Sequence, residues 1–211
     1  NVPTRADFDP FPWYSMAVWI LSQMKRSGYI KGDVNYTEIA EKVYLITDAR
    51  KQKVAFAGPY LDTGQSLLVR ADNTDIVGPE SLANSKRLCS VSGSTPAQRI
   101  KDKYSGVQLQ QYDTYSACVE ALRNGAIDAV STDEVILAGF AAQSPGAFKI
   151  IGKPFSVEHY GIGLLREDRE LRGKINDAIV EMQRDGSWKE AFDRNLGPAG
   201  ITAPPPPPLD T

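Results

Sequence analysis

Histidine and cysteine are almost missing from the 211 residues: there is one histidine, His159, and there are two cysteines, Cys89 and Cys118. That count excludes a metal site built from several histidines or from four cysteines. Nucleophilic catalysis of the Ser-His-Asp or Cys-His kind would have to run through His159. Long apolar runs are missing too. The longest, Met16–Leu21 and Val135–Ala142, fall far short of the ~20 residues that cross a bilayer. There is no lysine- or arginine-rich run, and 24 basic against 26 acidic residues leave a net charge of -2. Without a phosphate-neutralising surface, no nucleic-acid partner is expected. The chain opens on Asn1 with no positive n-region followed by an apolar h-region, so either an export signal has been removed or the sequence was cut by design. It reads as soluble.

What is present is ordinary globular composition, 42% hydrophobic and 24% charged, enough for one or two domains with a sizeable core. Residues 3–12, with three prolines among acids and aromatics, read as an irregular arm. Apolar spacing from Trp13 predicts a helix ended by Gly28, and Asn35 or Thr37 can cap a second helix over roughly 36–45. Beyond Pro59, short apolar runs alternate with amphipathic ones. Strands are predicted at 66–69, 87–91, 107–110, 127–130, 148–151 and 161–165, and helices near 95–104, 114–123, 133–143, 167–183 and 187–195. Strand and helix alternating at this pitch argue for βαβ units around a parallel sheet. The five prolines of 204–208 read as a stiff spacer or an untethered tail.

Two local patterns suggest chemistry. The strand ending Leu88-Cys89-Ser90-Val91 runs through Ser92-Gly93-Ser94-Thr95-Pro96, where Ser94 or Thr95 can cap a helix and Pro96 suits its first turn. Backbone N–H groups at such a start, at the carboxyl edge of a parallel sheet, can seat a carboxylate or phosphate, with the Ser94 and Thr95 hydroxyls as further donors. A capped helix without any ligand shows the same pattern. Neither the dinucleotide nor the P-loop spacing is present, so no nucleotide cofactor is expected. Two strands on, Asp133 stands where the strand at 127–130 meets its helix, and there it can cap that helix or receive an ammonium. An anion seat and a carboxylate on one sheet edge match an α-amino acid. Arg50 could grip a carboxylate through two parallel hydrogen bonds, or be a solvated surface arginine.

From about Leu45 onward the sequence resembles the polar amino-acid-binding proteins of ABC transporters, solute-binding family 3, and within it the glutamate-binding type. The stretches that carry the likeness include Ile46-Thr47-Asp48-Ala49-Arg50-Lys51, Val54-Ala55-Phe56-Ala57-Gly58-Pro59-Tyr60, Gly64-Gln65-Ser66-Leu67-Leu68-Val69, Gly93-Ser94-Thr95-Pro96-Ala97-Gln98, Asp128-Ala129-Val130-Ser131-Thr132-Asp133 and Tyr160-Gly161-Ile162-Gly163-Leu164. The resemblance implies an α/β fold of the type II periplasmic-binding-protein kind, two lobes closing on a ligand. It implies that Arg50 holds the ligand α-carboxylate, that Gly93, Ser94 and Thr95 contact it from the second lobe, and that Asp133 receives the α-ammonium. It also implies a Cys89–Cys118 disulfide. The expected ligand is glutamate, then aspartate or glutamine, with an ABC-transporter permease as partner, no cofactor and no enzymatic activity. The expected place is extracytoplasmic, in the periplasm or at the cell surface, with a lipid anchor before processing.

The resemblance stops short of the first lobe. Residues 1–44 resemble instead the C-terminal helical region of nitrate/sulfonate/bicarbonate-type binding proteins, which suggests a hybrid: one intact parallel-sheet lobe beside a truncated or rebuilt, helix-rich one. Leu45 stands where the family places a Ser or Thr. The expected division is an altered first lobe over 1–66 and 166–203, a ligand-binding lobe over 67–165, and a tail over 204–211. Self-association through the altered lobe is expected, and the alternative to a receptor is a hybrid that folds without binding. Were there catalysis, Glu158 and His159 would be its acid–base pair, although their place before Tyr160-Gly161 suits a hinge better.

Overall fold

A computed structural model describes residues 43–83 and 85–210. The predicted helix from Trp13 and the arm before it lie outside those residues. The chain packs as two units, which in the described part comprise 64–156 (unit 1) and 43–63 with 157–210 (unit 2).

Unit 1 is built around five strands, β3 (Gln65–Arg70), β4 (Arg87–Val91), β5 (Gln108–Tyr112), β6 (Ala129–Asp133) and β7 (Phe148–Ile151), in the spatial order β5-β4-β6-β3-β7. The helices α2 (Thr95–Lys103), α3 (Tyr115–Arg123) and α4 (Glu134–Gln143) follow β4, β5 and β6. The sheet is mixed, which corrects the expectation of a parallel one. β4 runs parallel to β5 and β6, whereas β3 pairs antiparallel with both β6 and β7. The parallel pairs are those joined through helices, and β3 enters from the other unit without such a crossover. Leu67, Val69, Ile76, Leu82, Leu88, Ile100 and Ala129 form the core under the sheet. Two helix starts are fixed by side chains, Ser94 accepting from the Ala97 N–H and Thr114 from the Ala117 N–H. At the entry, a Cβ on Gly64 would lie 2.3 Å from the Ser156 carbonyl oxygen, so only glycine fits that approach.

Unit 2 holds β1 (Val43–Leu45), α1 (Asp48–Lys51), β2 (Ala55–Thr63), β8 (Glu158–Leu164), α5 (Arg169–Asp185) and α6 (Ser187–Leu196). Its sheet is antiparallel throughout, with β8 between β1 and β2. Three expectations are corrected here. Val43–Leu45 continues no helix from 36 but pairs with Tyr160–Ile162 as a strand. The strand predicted at 161–165 belongs to this sheet, so the return to unit 2 falls after Ser156 and not at 165. The proline-rich tail, moreover, is docked. Pro207 is buried and its carbonyl accepts from Gln183 Nε2 at 3.2 Å, while the Asp210 N–H donates to the Gly58 carbonyl at 3.0 Å. A polyproline segment carries acceptors without donors and loses little entropy on ordering, which suits it to such a seat.

Candidate functional site

Most bonds at the start of α2 are internal. Gly93 has φ +71, a left-handed turn that glycine adopts freely, and nothing lies within 4 Å of where its Cβ would stand. The Ser94 N–H donates to the Val91 carbonyl at 3.2 Å, Ser94 Oγ accepts from the Ala97 N–H at 3.2 Å, and Pro96 has no N–H. The expected set of free donors therefore shrinks. Among the described residues, no hydrogen bond engages the Gly93 N–H or the N–H and hydroxyl of Thr95.

This turn is pinned from below by Gln65, fully buried at the head of β3. Gln65 Nε2 donates to the Pro96 carbonyl at 3.2 Å and to Ser131 Oγ at 2.8 Å, and its Oε1 accepts from Arg99 Nη1 at 3.0 Å. Ser131 Oγ donates in turn to the Ser66 carbonyl, and Ser90 Oγ to the Ser131 carbonyl. Sequence reasoning assigns Gln65 no role. Its one signal is a polar residue opening an apolar strand directly after a glycine.

Asp133 is 4% exposed, the last residue of β6 and the residue before α4. It makes no capping hydrogen bond to α4, so capping does not explain it. Tyr115, the first residue of α3, links it to the start of α2. The Tyr115 hydroxyl is bonded within the group Ser94, Thr132 and Ser90. Burial raises its pKa, those hydrogen bonds oppose the rise, and the neighbouring Asp133 charge adds to it. The phenol thus stays neutral beside the carboxylate. Burial also raises the pKa of the adjacent Glu134 carboxyl. One edge of unit 1 therefore carries unengaged donors at Gly93 and Thr95 and a buried carboxylate at Asp133, with Tyr115 bonded at Ser94 and next to the Asp133 charge. Such an edge can take a group bearing both charges.

Arg50 lies in unit 2, half-buried at the end of α1. Its Nη1 donates to the Leu45 carbonyl at 2.9 Å, and its N–H is held by the Thr47 carbonyl and hydroxyl. The Leu45 side chain is buried, and its carbonyl orients the guanidinium. Cys89 of β4 and Cys118 of α3 are joined as a disulfide, their Cα atoms 5.6 Å apart. His159 Nδ1 lies 2.6 Å from Asp62 Oδ1 across the β2–β8 pair. Among the described residues, no group of three or more His, Cys, Asp or Glu could hold a metal ion, and no helix is long and apolar enough to cross a membrane.

The two-unit α/β arrangement, with β3 and β8 leading between units, is that of type II periplasmic amino-acid-binding proteins. The sequence matches the family described as bacterial extracellular solute-binding proteins, family 3, over residues 37–198, and the chain belongs to that family. It is 50% identical over 159 residues to the glutamate-binding protein GluB of Corynebacterium glutamicum, covering 73% of this chain and 54% of that protein. It is 34% identical over 149 residues to the glutamine-binding protein GlnH of Bacillus subtilis, at 71% and 54% coverage. An ancestral arginine-binding protein bound to glutamine superposes with a TM-score of 0.69 at 28% identity, covering 89% and 87% of the two chains. The chain spans about half the length of the curated relatives it matches. The family match takes in residues 37–44 of the segment likened to the nitrate/sulfonate/bicarbonate type, and the comparisons lend that likeness no support.

Proposed function

We propose that the chain binds a polar L-amino acid outside the cytoplasm, glutamate first and aspartate or glutamine after it, for uptake by an ABC-transporter permease. The observation that carries the reading is the edge of unit 1 where the Tyr115 hydroxyl, bonded among Ser94, Thr132 and Ser90 at the start of α2, neighbours the buried Asp133 carboxylate. A zwitterion needs that pairing of charges, and helix starts receive anions. In this reading Thr95 and the Gly93–Ser94 turn take the α-carboxylate, Arg50 grips the same carboxylate, and Asp133 takes the α-ammonium. The names of the relatives above support glutamate or glutamine as the ligand class. The disulfide suits an oxidising compartment, periplasm or cell surface, with a lipid anchor as the means of retention. No turnover is proposed, in keeping with a family described as extracellular solute-binding proteins.

Calorimetric titration of L-glutamate, L-aspartate and L-glutamine tests this, with Arg50→Ala and Asp133→Ala alongside. Saturable heat with glutamate, abolished in both variants, is the expected result. Ligand at 100 times its dissociation constant should then stabilise the fold by about 2.7 kcal/mol. Heat that persists in Asp133→Ala would remove the assigned ammonium seat. No heat across the panel would favour the chain that folds without binding.

A further inference from the structure

Unit 2 carries a cluster of charge that the amino-acid site does not use. An open groove of about 1030 Å³ is lined by Lys51 of α1, by Arg166, Arg169 and Arg172 at the start of α5, and by the end of the tail. Among the described lining residues the one acid is Asp210, whose Oδ2 lies 3.0 Å from Lys51 Nζ. Of the acids at the start of α5, Asp168 caps the Leu171 N–H and Glu170 pairs with Lys174. Arg166 donates to the Gln52 carbonyl at 2.9 Å and Arg172 Nη2 to the Asp210 carbonyl at 3.3 Å, both uncharged acceptors. Arg172 Nε is buried with no hydrogen-bond partner among the described residues. A guanidinium N–H in that state lacks an acceptor that folding should have supplied.

The groove, lined by four cations, therefore already seats one carboxylate on Lys51, and that carboxylate comes from beyond the family match, which ends at residue 198. The groove is also far roomier than one carboxylate requires. We propose that it is a binding site for a polyvalent oxyanion of the phosphate class, with Asp210 as its resident stand-in and the tail as a displaceable plug. Guanidinium forks match phosphate oxygens as well as carboxylates, and a higher ligand charge gains more from four cations than a single carboxylate does. A small anion is favoured over a nucleic acid because the chain as a whole carries a net charge of -2. The site shares no residue with the amino-acid site, so either can fail alone.

Calorimetric titration of inorganic pyrophosphate into the whole chain at constant ionic strength tests the proposal, with each variant melted beforehand to establish folding. One saturable site is expected. Arg172→Gln should weaken it by about tenfold or more, the worth of a hydrogen bond to a charged group. Asp210→Asn, which removes the resident charge and keeps the tail, should tighten it severalfold. Arg184→Gln, on the same helix but exposed and paired with Glu181, should leave the affinity unchanged. At saturation the Asp210 amide, protected by the Gly58 carbonyl, should exchange freely as the tail leaves. Absence of saturable heat would overturn the site, as would an affinity indifferent to Arg172→Gln. Binding that Asp210→Asn does not tighten, or an Asp210 amide still protected at saturation, would overturn the plug.

Discussion

The two units are held together by different means. In its described part unit 1 runs from 64 to 156, β4, β5 and β6 are each followed by a helix, and a disulfide ties β4 to α3. Unit 2 exists only because the chain comes back: β1 and β2 find their partner in β8, roughly a hundred residues later, and α5, α6 and the tail then cover them. The disulfide limits the entropy of unit 1's unfolded chain, whereas the returning strand of unit 2 must meet its closure cost without such a tie. Unit 2 should thus depend on a few long-range anchors, and unit 1 on its covalent tie.

The anchor to break first is Trp188 of α6, 2% exposed, whose Nε1–H donates to the Tyr60 carbonyl at 2.7 Å and whose ring lies 5.6 Å from that of Phe192. Trp188→Ala should cost about 3–5 kcal/mol. Amide exchange should rise across β1, β2 and β8 while β4–β6 stay protected. Equal loss in both sheets would make the two units a single cooperative one and end the contrast. The counterpart in unit 1 is the double variant Cys89→Ala with Cys118→Ala. Opening a loop with sequence separation 29 should cost about 3 kcal/mol. Exchange should then rise first around β4, β5 and α3.

The same contrast governs how much is legible in the sequence. Unit 1 is read closely: Arg87–Val91 and Phe148–Ile151 agree to the residue, and α2, α3 and α4 begin within about a residue of the expected places. Ser94, one of the two caps expected there, announces α2, and short apolar runs between amphipathic segments announce strands. β2 escapes because Gly58 and Pro59 interrupt it and its interior is buried on both faces, which erases the alternation that marks a strand. β1 escapes because three residues carry no period. At the site, residue types that cap helices or end strands draw attention to Gly93, Ser94, Thr95 and Asp133. Gln65 and Tyr115 give no such sign, since their roles depend on partners that only the folded sheet brings near. The docking of Asp210 on Lys51, 159 residues away in sequence, is equally silent.

A smaller effect sharpens the picture of unit 1. Arg87 meets Asp128 with Nε–Oδ2 at 3.1 Å and Nη2–Oδ1 at 3.0 Å, and the Arg87 N–H adds a bond to Oδ2 at 2.8 Å. The guanidinium hydrogen bonds hold the Asp128 carboxyl below its usual pKa, with its partly buried setting opposing them. A depressed folded-state pKa stabilises above the unfolded value, and that stability drains away as pH falls through the folded one. The gap in melting temperature between the native chain and Asp128→Asn should therefore be open at pH 7 and close below about pH 4. A gap independent of pH would mean that shape rather than charge holds the pair.

The smallest expected change is at Tyr60, fully buried in unit 2, whose hydroxyl has no hydrogen-bond partner among the described residues. Burial drives its pKa far upward, so the phenol is neutral at every accessible pH. A buried hydroxyl without a partner has already lost its hydration, and removing it removes that loss. Tyr60→Phe keeps the ring and leaves the backbone carbonyl that holds Trp188 in place. Its melting temperature should therefore equal or slightly exceed that of the native chain, in contrast to the collapse expected of Trp188→Ala. A loss above about 1 kcal/mol would show that the hydroxyl is bonded in solution, the net worth of one ordinary hydrogen bond. Unit 2 would then rest on Tyr60 through both its backbone and its side chain.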